Sequence, residues 1–261
     1  MVQRWREIYR YREMVWLMVR RDLAASVRQS FLGHAYTILG PILATGVFTF
    51  LFQGVLRLDL SGEIPYPLFV FTGMLIWGTF ATGLRGGLDA LVSSASLVRQ
   101  VYFPHETLLI APIARTFMAF GLQYGVLFVF LLLYGIPLRW GLVVAPLLLI
   151  PTLLLAYALN LILTPLNALS RDVGRIMGVL LGFAVYLVPV VYDSSRIPDP
   201  FKGVYLLNPL APTIETFRAL TIGSAMCDPI WMGIALVVIV ILLLIGQMVF
   251  TALDQVIADV V

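Results

Sequence analysis

LVSSASLVRQVYFPHE, residues 91–106, is a short polar interruption between two long apolar stretches of the chain. Its serines lead into Arg99 and Gln100, and Pro104 then ends the run of residues that a helix accepts readily. This order predicts one or two helical turns stopped by the proline. Because both ends are tied to apolar spans, we interpret the stretch as a cytoplasmic elbow at the membrane surface. In this position it could transmit force from a soluble protein to the two spans.

The composition of the chain excludes a water-soluble fold. Hydrophobic residues make up 61% of the 261 residues and charged residues only 12%, whereas soluble domains carry roughly a quarter charged residues. Uncharged runs recur at the length of about 20 residues that a helix needs to cross a bilayer. The sequence therefore predicts an all-α polytopic membrane protein.

Six candidate transmembrane helices are delimited by the positions where charge stops and resumes. They lie within residues 31–56, 64–84, 107–133, 140–166, 176–192 and 230–253. An even number places both termini on one side, and the excess of arginine near the N-terminus predicts that this side is the cytoplasm. In this orientation the basic residues assigned to the outer face are Arg57, Arg139, Arg196, Lys202 and Arg218.

Residues 1–30 predict a separate interface helix ahead of the transmembrane domain of residues 31–261. Tyr11, Val15 and Met18 recur at helical spacing, and Arg10 and Arg20 lie on the opposite side. A basic amphipathic helix of this kind lies in the headgroup plane of the membrane. A cytoplasmic helix packed on a soluble partner is the alternative.

The connection formed by residues 193–228 is the longest one on the predicted outer side. Pro212 is suited to open a helix there and Gly223 to end one. About a dozen moderately apolar residues cannot span the bilayer, so we predict short re-entrant or interfacial helices before the last span. A solvent-exposed loop is the alternative.

The chain lacks the sequence marks of an energy source of its own. Its only lysine is Lys202, so it has no phosphate-binding loop of the kind used by nucleotide-driven pumps. No Asp or Glu lies well inside a predicted span, and His34 and Arg115 are the nearest candidates for an ion-driven carrier. No catalytic cluster and no metal-ligand spacing is present either. We expect a transport subunit that holds no cofactor and receives its energy from a separate protein.

Four ordered segments resemble the membrane subunit of the ABC-2 polysaccharide exporters. They are YREMVWLMVRRDLAASVRQSFLGHAYTILGPIL at 11–43, SLVRQVYFPHE at 96–106, ALSRDVGRIMGVLLGFAVYLVPVVYDSSRIP at 168–198 and LLNPLAPTIETFRAL at 206–220. The most specific pieces are 102–104 with Glu106, and 171–173. The chain departs from the family pattern at Ser94 and Gln100, where an asparagine and a basic residue are expected.

The resemblance implies a homodimeric permease in the bacterial inner membrane that works with two copies of a nucleotide-binding subunit. ATP and Mg²⁺ would bind in that partner subunit. The expected substrate is a lipid-linked polysaccharide, with O antigen favoured over capsule or teichoic acid. Two alternatives stay open: the same architecture moving a drug or a small lipid, and a membrane-bound enzyme of envelope assembly. The enzyme would require essential external acids among Asp193, Asp199, Glu215 and Asp228.

The resemblance also assigns the elbow to coupling with the ATPase. The residues expected there are Ser94, Ser96, Arg99, Gln100 and Tyr102. Interfacial anchoring is the alternative role for Arg99 and Tyr102. Arg171 and Asp172 are expected to form a second cytoplasmic contact or a local ion pair, and Arg85 and Asp89 could pair likewise.

The substrate path is expected along the first and fifth spans. The candidate channel residues are Tyr36, Phe48, Phe52, Phe183 and Tyr186. Aromatic rings stack on the apolar faces of sugars with few fixed hydrogen bonds, which suits a sliding polymer. Lipid-facing or core packing is the alternative. Arg28 is a candidate to receive the diphosphate of the lipid carrier, because guanidinium binds phosphate oxygens in pairs; attraction to anionic lipids would account for it equally well.

Overall fold

The computed structural model describes residues 11–28, 33–57, 64–100 and 103–260, without the side chains of 22–28, 33–36, 98–100 and 255–260. Every regular element in this part of the chain is helical. The α-helices are α1 Arg12–Arg28, α2 Gly33–Thr49, α3 Tyr66–Leu88, α4 Ala90–Ser93, α5 Ala95–Gln100, α6 Ile110–Leu133, α7 Gly141–Val144, α8 Leu149–Leu169, α9 Asp172–Ala184, α10 Asp199–Leu206, α11 Leu210–Ile222 and α12 Pro229–Val260.

Shorter helical turns extend several of these helices. A π-helical turn, Phe50–Val55, continues α2, and the 3-10 turns are His105–Leu109, Ala145–Leu148, Val185–Leu187 and Ser194–Arg196. With these turns included, five segments within the described residues are long and apolar enough to cross a membrane. They are Thr37–Val55, Tyr66–Leu88, His105–Leu133, Gly141–Leu169 and Pro229–Asp254. They correspond to five of the six predicted spans.

Helix α3 is the centre of the bundle. Apolar side chains surround it on all sides. Of the most apolar stretch of α3, 78% is buried inside the bundle, whereas the figure for the last span is 22%. A helix that is hydrophobic all round is one that other helices cover. Helices α2, α6, α8 and α11 all pack against α3, so α3 joins these four helices to one another.

The fifth predicted span has a form that the sequence pattern did not reveal. Its helix α9 has only 13 residues, and after the turn Val185–Leu187 the backbone becomes extended at Val188. Asn167, just before α9, bonds to the backbone at the end of α3, whereas Val191 bonds to Tyr66 at the start of α3. Between Asn167, near the end of α8, and Val191, the chain therefore passes from the end of α3 to its start.

The connection before the last span contains two helices rather than a solvent-exposed loop. Helix α11 begins at Leu210, two residues before the predicted opening at Pro212, and it ends at Gly223, whose φ of 75° is left-handed. Most of its residues are buried. Gly141 allows a close approach of α7, because a Cβ there would lie 2.2 Å from the carbonyl oxygen of Leu220. Helix α11 is therefore part of the core.

Candidate functional site

The elbow consists of two short helices with a break between them. Helix α4 ends at Ser93, and Ser94 takes a non-helical conformation before α5 starts. Ser94 is half-buried and Ser96 is exposed. Arg99 and Gln100 lie in α5, but their side chains are outside the described part of the chain, as is Tyr102 altogether. The predicted one or two helical turns are thus confirmed, with a bend inside them.

Apolar contacts fix the elbow to the rest of the bundle. Phe103 is buried at its end, and Leu91 is buried at its start. A cluster of buried residues surrounds them: Met18, Val19, Ala90, Leu108, Leu109, Ala111, Tyr157, Leu161 and Phe250. These side chains come from α1, α6, α8 and α12 as well as from the elbow. A displacement of the elbow therefore acts on four other helices.

Two polar contacts join the end of the elbow to the last helix, α12. His105 Nδ1 lies 2.8 Å from Asp254 Oδ1, and Gln247 Nε2 donates a hydrogen bond of 2.7 Å to Glu106 Oε1. Both Glu106 and Gln247 are buried. Sequence reasoning missed Gln247 and Asp254, because the partners lie more than 140 residues apart and nothing local marks them.

Polar side chains of α8 form a row of hydrogen bonds to the backbone of α3. Asn160 donates to the carbonyl of Gly83 at 3.0 Å, Thr164 to that of Gly87 at 3.0 Å, and Asn167 to that of Leu88 at 2.9 Å. The three donors are spaced four and three residues apart, as one face of a helix requires. That spacing, inside an otherwise apolar span, was the signal that sequence reasoning overlooked.

Asn167 also holds the second loop of this end. Its Oδ1 accepts a hydrogen bond of 2.8 Å from the backbone N–H of Gly174, in the first turn of α9. A Cβ at Gly174 would lie 2.7 Å from the same oxygen, so the contact needs glycine. One buried amide therefore ties the start of α9 to the end of α3, directly before the elbow.

The charged residues of this second loop pair differently from the prediction. Asp172 pairs with Arg175, at 2.8 Å between Oδ1 and Nη1, and not with Arg171. Three residues along a helix bring Asp172 and Arg175 to the same face. Arg85 and Asp89 form no ion pair within the described residues either. Four of these charged residues, Arg85, Asp89, Arg171 and Arg175, line one cavity, whereas Asp172 does not.

That cavity lies between the end of α3 and the start of α9, and we call it the arginine cavity. Its volume is about 390 Å³. The lining residues are Arg85, Leu88, Asp89, Val92, Asn167, Arg171, Gly174, Arg175 and Gly178. The two loops predicted to share one side of the membrane therefore meet at a positively charged depression.

Three of the predicted channel residues lie close together. The rings of Phe48 and Tyr186 are 6.1 Å apart at their centroids, and those of Phe48 and Phe52 are 6.3 Å apart. The hydroxyl of Tyr192 donates to the backbone carbonyl of Tyr186 at 2.7 Å. Phe183 is 67% exposed, and no ring contact joins it to this group among the described residues. The side chain of Tyr36 is outside the described part of the chain, as is that of Arg28 at the end of α1.

At the opposite end of the bundle, Arg218 lies inside the core. The sequence analysis had assigned it to the outer face, and that assignment is wrong. Its side chain is 1% exposed, with Cζ 3.6 Å above the ring of Phe69. Its Nη2 donates to the carbonyl of Val190 and its Nε to that of Phe69. Burial lowers the pKa of Arg218 to about 9, opposed by the charges of Glu215 and Asp193, so the guanidinium stays charged at neutral pH.

Three of the four acids that the sequence analysis placed on the outer side border one cavity near Arg218. Asp193, Glu215 and Asp228 line it together with Lys202 and Trp231, and Asp199 does not. Each acid accepts a backbone hydrogen bond: Glu215 from Ser194, Asp193 from Ser195 and Asp228 from Ile230. No group of residues suited to holding a metal ion occurs in the described ranges. The acids thus have local structural partners.

Comparisons with known proteins agree with this architecture. Residues 13–222 match the family described as ABC-2 type transporter. The chain is 31% identical over 222 residues to the O-antigen export system permease protein RfbA of Myxococcus xanthus, covering 84% of each chain. It is 25% identical over 218 residues to a protein of the same name from Klebsiella pneumoniae, covering 82% of each. The chain belongs to the ABC-2 type transporter family.

Proposed function

We propose that this protein is the permease subunit of an ABC transporter that exports lipid-linked O antigen across the bacterial inner membrane. The observation that carries the proposal is the elbow: a short bent helix between two long apolar helices, bonded to the last helix through Glu106 and Gln247. The family match and the names of the relatives support the same role. ATP and Mg²⁺ bind in a separate subunit.

Six crossings follow from this proposal, with both termini in the cytoplasm. The five long helices supply five of them. The segment 172–191 supplies the sixth, because Gly174 near its start is joined to Leu88 of α3 through Asn167, and Val191 at its end accepts a hydrogen bond from Tyr66. Helices α10 and α11 are then re-entrant elements on the outer side, where non-helical backbone is tolerated if protein covers it.

The elbow is the surface on which the ATPase acts. Ser94, Ser96, Arg99, Gln100 and Tyr102 form the contact, and Arg171 and Asp172 provide a second one. Exposed Ser96, Arg171 and Asp172 are accessible to a soluble partner. An exposed ion pair contributes less than about 1 kcal/mol to stability, so a role in docking explains Asp172 better than its pairing with Arg175 does.

Two copies of the chain surround the path of the polymer. The ring contact between Phe48 and Tyr186 brings the first and fifth predicted spans together, and Phe52 extends it. Exposed Phe183 then faces the path from the same side as Tyr186, and Tyr36 lies on the same helix as Phe48. Arg28, at the end of α1, attracts the carrier's phosphates from the cytoplasmic surface.

Copurification and transport together test this function. The tagged permease, expressed with the neighbouring ATPase of its locus, should bring down that subunit in equal amount. In vesicles, both subunits and ATP should be required to move a defined lipid-linked O-antigen glycan. Ser96→Arg should abolish the copurification, whereas Ser195→Arg, an exposed serine at the opposite end, should not. Transport by the permease alone, or no binding of any ATPase, would refute the proposal.

The two alternatives give different results in the same system. A drug or small-lipid transporter would hydrolyse ATP faster with that small substrate and not with the glycan. An envelope enzyme would lose function when Asp193, Asp199, Glu215 and Asp228 are replaced together by alanine. Glu215→Gln and Asp228→Asn keep the backbone hydrogen bonds, so loss of function in these conservative variants would identify an enzyme.

A further inference from the structure

Of the residues that line the arginine cavity, only Arg171 takes part in the coupling just described. We propose that it holds the diphosphate headgroup of the lipid-linked substrate, with the lipid chain lying along the exposed apolar face of α9. This proposal rests on the proposed function for the identity of the lipid. The geometry that supports it comes from Arg85 at the end of α3 and from Arg171 and Arg175 at the start of α9, which line one depression.

The charge of the cavity fits a multiply charged anion. Three arginines and one acid, Asp89, line it, which leaves a surplus of two positive charges. Among the described residues, Arg85 and Arg171 form no ion pair, and Arg175 has only the exposed Asp172 as a partner. A weak surface pair of this kind is readily exchanged for a phosphate, which guanidinium binds through two parallel hydrogen bonds. A diphosphate supplies the two negative charges that the cavity lacks.

The walls of the cavity are held in place before any ligand arrives. Asn167 lies at the bottom, buried, and bonds both to Leu88 of α3 and to Gly174 of α9. The arginines therefore project from a frame whose two helices are already joined. The volume of about 390 Å³ falls within the range of roughly 300–1,000 Å³ that is usual for ligand sites. The first turn of α9 also presents the positive end of its helix dipole.

The surface next to the cavity favours a lipid over an acidic peptide. Gly178 lines the cavity, and Gly182 follows one turn later; a Cβ at either would meet no atom within 4 Å. Exposed Val179 flanks this open strip. A charged depression that continues into an apolar strip matches a ligand with a phosphate head and a hydrocarbon chain. An acidic segment of the ATPase would use the charges and leave the strip empty.

Binding of farnesyl diphosphate to the purified full-length permease in nanodiscs tests the site, with farnesol and phosphatidylglycerol as comparison ligands. The triple variant Arg85→Gln, Arg171→Gln, Arg175→Gln should bind farnesyl diphosphate more than about tenfold more weakly. The matched lysine variant should recover part of the affinity, because it keeps the charge and loses the paired hydrogen bonds. Arg139→Gln, the same change at the opposite end of the bundle, should bind as the unmodified protein does. Equal thermal unfolding midpoints would show that all variants are folded.

Each other outcome overturns the proposal in a recognisable way. Unchanged binding by the triple variant would place the diphosphate elsewhere. Equal affinity for phosphatidylglycerol would make the cavity a contact for bilayer phospholipid, and equal affinity for farnesol would leave no role for the charges. Loss of ATPase copurification with unchanged diphosphate affinity would assign the arginines to the ATPase. Failure of the proposed function is separate: no ATPase would bind even the unmodified permease, whatever its affinity for farnesyl diphosphate.

Discussion

Arg218 Nη2 donates a hydrogen bond of 2.6 Å to the backbone carbonyl of Val190. Val190 belongs to the stretch that follows the early end of α9, where the carbonyls have no helical partner. In an apolar environment an unpaired carbonyl costs several kcal/mol, so the guanidinium stabilises a backbone that could not otherwise be buried. The hydroxyl of Tyr66 likewise donates a hydrogen bond of 2.8 Å to the backbone carbonyl of Val191. The irregular end of the fifth predicted span depends on these two side chains.

Replacing Arg218 should destabilise the outer half of the bundle. Arg218→Met leaves the carbonyls of Phe69 and Val190 without this donor, and we expect a loss of about 3 kcal/mol in the free energy of unfolding. Thermal unfolding in detergent, followed by intrinsic fluorescence, measures it. Arg57→Met removes an exposed arginine and should leave the unfolding midpoint unchanged. Equal midpoints for the two variants would contradict the assignment.

Gly87 should not tolerate even a methyl group. A Cβ at Gly87 would lie 2.0 Å from Asn160 Nδ2, inside the row of hydrogen bonds between α8 and α3. We expect Gly87→Ala to cost about 2 kcal/mol through overpacking. Gly78 is the matched control, because a Cβ there meets no atom within 4 Å and alanine is the better helix former. A Gly87→Ala protein as stable as Gly78→Ala would mean that the two helices are not in this register.

The hydrogen bond between Gln247 and Glu106 should link the elbow mechanically to the last helix. Gln247→Leu removes one hydrogen-bond donor to the buried carboxylate of Glu106, which we expect to cost about 1–3 kcal/mol. The ratio of ATP hydrolysed to polymer exported should rise, because the elbow then moves without α12. Gln53→Leu, an exposed glutamine, is the control. An unchanged ratio in the Gln247 variant would show that force takes another route.

Cys227 should react slowly and only from outside the cell. Burial, and next the charge of Glu215, raise the pKa of the Cys227 thiol to about 12, so little of the reactive thiolate exists at pH 8. Glu215→Gln removes the charge that disfavours the thiolate, lowers this pKa and should speed labelling by a membrane-impermeant maleimide. Asp199→Asn, outside the cavity, should not. Labelling only after the cells are opened would reverse the proposed topology.

The contact between Phe48 and Tyr186 should have to separate during export. In a Cys227→Ser background, the pair Phe48→Cys and Tyr186→Cys lies within reach of a short bifunctional thiol reagent, since the native ring centroids are 6.1 Å apart. Cross-linking should stop export while ATP hydrolysis continues. The single variants Phe48→Cys and Tyr186→Cys are the controls, because neither can form the cross-link. Full export by the cross-linked protein would show that the contact between Phe48 and Tyr186 is not part of the polymer path.

Long runs of uncharged residues were enough to predict five of the membrane-crossing segments and the position of the elbow. Local chemistry carried those predictions: apolar length for the spans, and Pro104 after a serine-rich stretch for the elbow. The helical residues of α11 could be predicted from Pro212 and Gly223. Their burial could not, because nothing in residues 210–222 says which surface will cover them.

The same limit applies to the charged residues. An arginine in a proline-rich connection has the sequence of a surface residue, and Arg218 is buried only because two distant carbonyls need its donors. In the sequence, the arginines of the two loops have the pattern of membrane-surface charges. Only the packing of α3 beside α9 shows that they line one cavity. The sequence by itself determined the apolar segments, since burial in a bilayer depends on composition and length. Which polar groups meet was decided by the tertiary structure alone, because those partners lie far apart along the chain.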